Sequence, residues 1–296
     1  MPVLVVAQKV VSKAEGRVVC LHDVEVSDDA LRLAKETGKD PRVVELILQE
    51  SRSVIRVRPG LIITEHRTGH IAANAGIDAS NTGVAAETGD EVVLLWPRDP
   101  DASARKLSET VSQALGYHVP VVINDSLGRP WRMGTVGFAI GVAGLEPVWD
   151  QVGEQDLDGR TMQVTAPAMA DALAAAASLV QGETDQGTPV VWAEGCPLRV
   201  SEQASSRALL RAVQQDMFGE ALEHASEQMR DDRGVVLAAV KLDDEEPVAP
   251  AVLAQIALDE NEPDLALRYI RRSREIDPTQ LAHRILEARI LRRLNK

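Results

Sequence analysis

The pattern of apolar and polar positions divides the chain into two parts. Up to residue 198, short apolar runs alternate with segments of helical period, which is typical of an α/β (mixed α+β) domain. Strands are predicted at Val3–Ala7 with Val10–Val11, within residues 60–96, in "VPVVIND" and in "TPVVWA". Over residues 199–296 the pattern is helical, with one weak strand candidate at 235–242. We therefore predict a domain over 1–198 and a helical extension over 199–296.

Capping residues mark the predicted helix ends. Residues 27–57 predict two helices, the first capped by Ser27 and ended by Gly38, the second begun by Asp40 with Pro41. Other helix boundaries are predicted at Asp99, Gly116 and Gly182.

The helical extension begins after a predicted linker, "DDEEPVAP", at residues 243–250. The spacing of its apolar residues before Asp277 and Pro278 resembles the second helix of a tetratricopeptide (TPR) unit. Residues 268–296 carry nine Lys or Arg against three Asp or Glu. Because one such unit cannot bury its apolar face alone, we predict that it packs on the core or binds a protein partner.

Composition excludes several classes of protein. The net charge of −13 argues against general nucleic-acid binding. The chain has no apolar run of about 18 residues and no secretory leader, so neither a membrane span nor secretion is predicted. The two cysteines, Cys20 and Cys196, form no disulfide framework. We predict a cytoplasmic protein.

The segment "VVINDSLGRPWRMG" carries the strongest chemical signal. A buried strand ends in Asp125 and Ser126, at the edge where α/β folds place their ligands. Arg129 and Arg132 follow among glycines. A carboxylate, a hydroxyl and two guanidiniums suit a metal-bound phosphate. The alternative is a turn with two surface arginines, but the density of special residues favours function.

Three further segments have both a functional and a plain interpretation. In "HIAANAGIDASN", Asp78 and Asn81 supply oxygens for a hard cation among small residues, or simply form a turn. Lys9 and Lys13 either hold phosphates or lie on a solvated edge. Glu183 follows a helix C-terminus, where a divalent ion or solvent would offset its charge.

Two other patterns are set aside. His66 and His70 are four residues apart, but Thr68 and Gly69 with the strand pattern deny them the helical face that zinc would need. No Walker A lysine motif is present, so a nucleotide would bind without a P-loop.

Several motifs together resemble the coenzyme F-420-0:L-glutamate ligase (F-420 gamma-glutamyl ligase) family over residues 3 to about 195. They are "SKAEGR" at 12–17, "ANAGIDASN" at 73–81, "DPDASA" at 99–104, "NDSLGRPWRMG" at 124–134, "FAIGVAG" at 138–144, "GEQDLDGR" at 153–160 and "QGE" at 181–183.

The resemblance implies a mixed α/β fold peculiar to the family and an intertwined homodimer. It implies an enzyme that uses GTP to join L-glutamate, by an amide bond, to a deazaflavin phosphodiester acceptor through an acyl phosphate. Two divalent ions, Mg²⁺ or Mn²⁺, are implied, and K⁺ is a further candidate ion.

The resemblance also implies roles for individual residues. The implied metal ligands are Asp78, Asp125, Ser126 and Glu183, with Ser126 at a position where the family commonly has threonine. The implied nucleotide contacts are Lys13, Asn81 and, at a position where some members have a serine-type contact, Gln8. Asp125, Arg129 and Arg132 are the predicted catalytic residues.

Two departures from the family pattern leave alternatives open. The family has a segment before the first strand that this sequence lacks, so we expect either that Met1 is not the natural start or that ligase activity is impaired. The family's Gly-rich tail motif is also absent after Glu194. The alternatives are a related ligase with a different carboxylate acceptor, and a weakened scaffold that binds a partner through its helical tail.

Overall fold

The computed structural model describes residues 1–80, 82, 91–130, 132–212, 248–259, 262–276, 278 and 281–294. Its contacts divide the chain into two units, Met1–Leu210 and Arg211–Lys296, which are described separately.

Strands and helices alternate through the first unit, and helices follow in the second. The strands are β1 (Val3–Ala7), β2 (Val18–Cys20), β3 (Ser51–Arg58), β4 (Leu61–His66), β5 (Ile71–Ala73), β6 (Val92–Leu94), β7 (Val121–Gly128), β8 (Thr135–Leu145), β9 (Val190–Ala193) and β10 (Val200–Ser201). The helices are α1 (Gln8–Ala14), α2 (Asp28–Thr37), α3 (Pro41–Glu50), α4 (Pro100–Leu115), α5 (Met169–Gln181), α6 (Val248–Asp259), α7 (Pro263–Ile276) and α8 (Leu281–Arg293). The predicted mixed α/β class is confirmed.

A five-stranded sheet in the order β10-β8-β7-β1-β9 forms the centre of the first unit. Strand β1 runs parallel to β7 and antiparallel to β9, so the carboxyl ends of β1 and β7 lie side by side. Both edges of β1 are therefore paired within the sheet. Smaller sheets pair β2 with β6 and join β3, β4 and β5.

Helices α4 and α5 cover opposite faces of the central sheet. Val122 of β7 packs in the same apolar cluster as Leu173 of α5, whereas its neighbour Ile123 packs with Ala104 of α4 and with Trp96. Successive strand residues point to opposite faces, so the buried strand must be apolar on both. This alternation continues to the end of β7 and determines which way the site residues point.

A β-bulge in β8 interrupts the ladder just before the polar end of β7. The register shifts between Ile123 and Asn124 of β7, which leaves an extra residue in β8. Two backbone N–H groups of β8 donate to helix carboxylates instead: Ala139 to Asp171 at 2.9 Å and Val142 to Asp101 at 2.8 Å. Buried backbone donors need a partner, so α4 and α5 hold the bulge in place.

The predicted helix caps are found in the structure. Side-chain oxygens of Ser27, Asp40 and Asp99 accept N–H groups of the first turns of α2, α3 and α4. Gly38 and Gly116 follow α2 and α4 with left-handed backbones. These predictions succeed because a cap depends only on neighbouring residues.

Two predicted elements are wrong. Val10 and Val11 lie in α1 rather than in a strand, because the buried residues Gln8, Val11 and Ser12 recur at helical spacing. Residues 51–57, predicted as helix, form most of β3, which pairs with β4. Their sequence, "SRSVIRV", is rich in β-branched residues that favour strands.

The described residues of the second unit form helices over most of their length, in agreement with the prediction. Its apolar core includes Ala254 of α6, Ile270 of α7 and Ile290 of α8. Residues 248–250, predicted as linker, begin α6 instead, and the strand candidate at 235–242 lies outside the described residues. The TPR-like character of this unit stays a prediction. No helix in the described parts of the chain is long and apolar enough to cross a membrane.

Candidate active site

Three of the predicted site residues, Gln8, Asp125 and Ser126, lie where the parallel strands β1 and β7 end. Ala7, the last residue of β1, pairs with Asn124, and Asp125 and Ser126 follow on β7. Helix α1 begins at Gln8, directly after β1. Ligands of open α/β sheets bind at the carboxyl ends of such strands. The sheet topology therefore brings the segment after β1, which carries Lys9 and Lys13, together with the segment that carries Asp125 and Ser126.

Asp125 is held by both of its carboxylate oxygens. Oδ1 accepts the Ser126 backbone N–H at 2.8 Å, and Oδ2 accepts the indole N–H of Trp96 at 2.7 Å. Burial away from water raises the pKa of the Asp125 carboxyl to about 6, and the nearby negative charge of Asp78 also raises it. The two hydrogen bonds act in the opposite direction but do not outweigh these effects. A proton and a cation therefore compete for this carboxylate near neutral pH.

Asp78 is fixed beside Asp125 by its backbone. Its N–H and C=O exchange hydrogen bonds with Leu94 of β6 at 3.0 and 2.8 Å. Its Oδ2 lies 2.6 Å from Nζ of Lys9, and its Oδ1 accepts the N–H and the hydroxyl of Ser80, each at 2.7 Å. Lys9 also donates to the Ser80 hydroxyl at 2.9 Å. The ammonium of Lys9 thus neutralises Asp78 in this structure.

Ser126 and Glu183 meet on the other face of β7. The Ser126 hydroxyl donates to Oε1 of Glu183, which follows α5. On the same face, the side-chain amide of Asn124 donates a hydrogen bond to that of Gln181 at 2.7 Å and accepts one from it at 3.1 Å. This pair of hydrogen bonds fixes the end of α5 against β7, and so positions Glu183 beside the strand end.

The four predicted metal ligands form two pairs rather than one group. Asp78 and Asp125 lie on the Trp96 side of β7, and Ser126 and Glu183 on the α5 side. Within the described residues, no three Asp, Glu, His or Cys side chains gather closely enough to hold an ion. The donors are nonetheless all oxygens, as Mg²⁺ and Mn²⁺ prefer, and a cationic group already lies on Asp78. The donor set therefore fits a hard divalent ion.

The predicted nucleotide contacts have different surroundings. Gln8 is buried; its Oε1 accepts the Ser12 hydroxyl at 2.7 Å, and its Nε2 has no hydrogen-bond partner in the described structure. Lys13 lies exposed one turn after Lys9 on α1. Asn81 lies outside the described residues. Their roles as nucleotide contacts stay predictions.

The two predicted catalytic arginines follow β7. Arg129 is half-buried, and its guanidinium donates to the carbonyl of Gly134 at 3.3 Å. Arg132 is exposed. Both belong to the connection between β7 and β8, which begins after Gly128, the third residue beyond Asp125. The structure brings these arginines to the right end of the strand but shows no contact between them and the carboxylates.

Sequence reasoning missed Trp96 and assigned no role to the Lys9–Asp78 pair. A signal for Trp96 was available: a tryptophan between the apolar run "VVLL" and the cap of α4 is expected to be buried, and a buried indole N–H needs an acceptor. Nothing in the sequence says that the acceptor is Asp125.

Substituting Lys9 tests whether its ammonium competes with a metal ion. Lys9→Met is expected to tighten Mn²⁺ binding to nucleotide-free protein by up to about five-fold, because a partly exposed ion pair contributes ~0.2–1 kcal/mol. Electron paramagnetic resonance titration of Mn²⁺ measures the change. Lys35→Met removes the same charge from an exposed position on α2 and is the control. Mn²⁺ binding of Lys9→Met no tighter than that of the control would contradict the expectation.

Comparison with a family model and with known proteins leads to the same family in each case. A family model described as F420-0:gamma-glutamyl ligase matches residues 2–195. A protein named coenzyme F420:L-glutamate ligase from Methanothermobacter thermautotrophicus is 46% identical over 217 residues, covering 73% of this chain and 84% of the relative. Proteins of the same name from Methanopyrus kandleri and Methanocaldococcus jannaschii are 46% and 40% identical, with the same coverage.

Proposed function

Because the chain belongs to the F420-0:gamma-glutamyl ligase family, we propose that it joins L-glutamate to coenzyme F420-0 at the expense of GTP, with divalent metal ions. Membership of this family identifies the protein as an enzyme of the ligase class. The observation that carries the proposal is the family match over residues 2–195, because every predicted site residue lies inside it.

The proposed reaction has two steps. The carboxylate of F420-0 takes the γ-phosphoryl group of GTP, which releases GDP and leaves an acyl phosphate. The amine of L-glutamate then attacks the acyl carbon, inorganic phosphate leaves, the amine loses a proton and an amide bond remains. Both steps bring together anions, and this protein itself has a net charge of −13. Cations at the phosphates are therefore required.

The residues at the strand ends supply these cations or hold them. Asp78 and Asp125 on one face of β7, and Ser126 with Glu183 on the other, are proposed to hold Mg²⁺ or Mn²⁺. The bound ions would neutralise charge on the phosphoryl oxygens. The guanidiniums of Arg129 and Arg132, together with the proposed nucleotide contacts Gln8, Lys13 and Asn81, would orient the phosphates and the base. K⁺ is a further candidate ion.

The proposal extends to the quaternary structure. A homodimer is proposed on the resemblance to the family. The helical second unit is proposed to bind a protein partner, because its α7 and α8 carry many arginines beside an apolar core.

The test is an assay of purified protein with F420-0, L-glutamate, GTP and Mg²⁺ or Mn²⁺. A product heavier than F420-0 by one glutamate residue is expected, with GDP and phosphate released in equal amounts. Repeated turnover should require glutamate, whereas F420-0 and GTP alone should release at most one GDP per site. Replacement of GTP by ATP tests the nucleotide, and chelation tests the metal. Glutamate-dependent GDP release with other carboxylates but not with F420-0 would favour a related ligase. No nucleotide turnover with any acceptor would overturn the proposal.

A further inference from the structure

Trp96 is completely buried, yet its polar atom is aimed at the site. The side chain has 0% exposure and lies in the apolar cluster between the central sheet and α4. Its indole N–H donates to Oδ2 of Asp125 at 2.7 Å. The bond satisfies both groups, because a buried indole N–H needs an acceptor and a carboxylate in apolar surroundings needs donors.

The ring of Trp96 is held from several sides. The His66 ring lies 4.7 Å from it between centroids, and the His70 ring meets it edge-on at 5.8 Å. The Thr68 hydroxyl lies 2.9 Å from Nδ1 of each histidine and links the two rings. A Cβ at Gly76 would come within 2.2 Å of the indole. The indole therefore has little freedom to turn.

The backbone of Trp96 is anchored as well. Nε of Arg17 donates to the Trp96 carbonyl at 2.8 Å, and the same guanidinium pairs with Glu50 at 2.9 Å. Glu50 is buried, and its second oxygen pairs with Arg67 at 2.9 Å. Burial acts to raise the pKa of Glu50, but nearby His66 and the two guanidiniums outweigh it and hold the pKa below its usual value. A buried carboxylate kept ionised between two arginines is a rigid support.

Hydrogen bonding leaves the Asp125 carboxylate with a defined outward side. Each oxygen has two lone pairs, and one on each is used by a protein donor, the Ser126 N–H or the Trp96 indole. The remaining lone pairs share the plane that these two bonds set. A carboxylate restrained in this way presents oxygens to a ligand without a loss of rotamer freedom at binding.

We infer that Trp96 is a positioning residue, whose indole N–H orients the Asp125 carboxylate for a divalent cation and whose ring is held for that purpose by Gly76, His66 and His70. The inference rests on the proposed function in that it assigns the metal role to Asp125. It also assigns a role to His66 and His70, which are unsuited to zinc: they hold the Trp96 ring in place.

The test removes the N–H while keeping the ring. Trp96 is replaced by β-(3-benzothienyl)alanine, an isostere in which sulfur takes the place of N–H, and separately by phenylalanine. Mn²⁺ affinity is measured by electron paramagnetic resonance in the absence of substrates, together with melting temperature, kcat and KM. Both variants are expected to bind Mn²⁺ about 10–100-fold more weakly. The isostere should lose kcat with little change in melting temperature or in KM for L-glutamate.

Trp192→Phe is the matched control, because the indole of Trp192 also donates to a carboxylate, that of Glu194, at 2.7 Å. It lies on β9 opposite Leu4, away from the carboxyl end of β1, and should leave Mn²⁺ binding unchanged. A benzothienyl variant with wild-type Mn²⁺ affinity would overturn the inference, and so would a wild-type protein that binds no Mn²⁺. Weakened Mn²⁺ binding in a protein that does not turn over F420-0 would support the inference and refute the proposed function.

Discussion

Asp125→Asn is expected to reduce kcat by about 10²–10³-fold or more while leaving the fold intact. The carboxamide keeps the shape of the carboxylate, and its oxygen can still accept the Trp96 indole N–H, but its NH2 group then faces the Ser126 N–H where the carboxylate offered an acceptor. It lacks the negative charge that a divalent ion requires. Steady-state GDP release at saturating Mg²⁺, with F420-0 and L-glutamate present, measures the loss.

The same substitution is expected to raise the melting temperature of the metal-free protein at pH 7.5. The pKa of Asp125 is raised from 3.8 to about 6 in the folded protein, so the folded state binds the proton more tightly than the unfolded state does. Stability is therefore lost as the pH rises through this range, and above it the ionised carboxylate opposes folding. Asparagine carries no charge and avoids this cost, and the rise is reduced but not cancelled by the hydrogen bond that the Ser126 N–H loses.

Asp29→Asn is the control for both effects, because Asp29 is exposed on α2 and pairs only with its neighbour Arg32 among the described residues. Its kcat and melting temperature should stay close to those of the wild type. If Asp125→Asn retained the turnover of Asp29→Asn under saturating Mg²⁺ or Mn²⁺, Asp125 would not be a metal ligand.

Gly76→Ala is expected to destabilise the first unit by about 2–5 kcal/mol. Two costs combine at this position. The backbone φ of +66° is unfavourable for a residue with a Cβ, and that Cβ would lie 2.2 Å from the buried indole of Trp96. The indole cannot retreat, because it is packed against His66 and His70. Thermal unfolding followed by circular dichroism measures the change.

Gly38→Ala separates the two costs. Gly38 ends α2 with a φ of +70°, and a Cβ there would meet nothing within 4 Å. This control should therefore show only the backbone cost, about 1–2 kcal/mol. Equal melting temperatures for the two variants would mean that Trp96 moves aside easily, and the rigid support described above would then be wrong.

Features of the fold that depend on neighbouring residues could be predicted from the sequence, whereas features that depend on contacts between distant segments could not. Ser27, Asp40 and Asp99 cap their helices through residues two or three positions away, so short stretches sufficed. The helix predicted over residues 51–57 failed because strand pairing with β4 decides that segment. A short apolar run is compatible with either element until its partner is known.

The site shows the same limit. Asp125 and Asp78 could be proposed because a polar end to a buried strand and an acid among small residues are visible in the sequence. The bond from Trp96 to Asp125 joins residues 29 apart, and that from Lys9 to Ser80 joins residues 71 apart. Such pairs depend on the order of strands in the sheet, which the spacing of residues does not contain.

The bulge in β8 also limits how this strand can change in evolution. Gly137 and Gly141 are four residues apart and would share a face in a regular strand. Here a Cβ at Gly137 would come within 2.4 Å of the Ala174 carbonyl of α5, and one at Gly141 within 2.4 Å of the Pro100 carbonyl of α4. Without the extra residue, both glycines would face the same helix. A residue with a Cβ would then face the other helix, at a position where only glycine fits. A substitution at either glycine would disturb one helix contact, whereas an insertion or deletion between them would disturb both contacts at once.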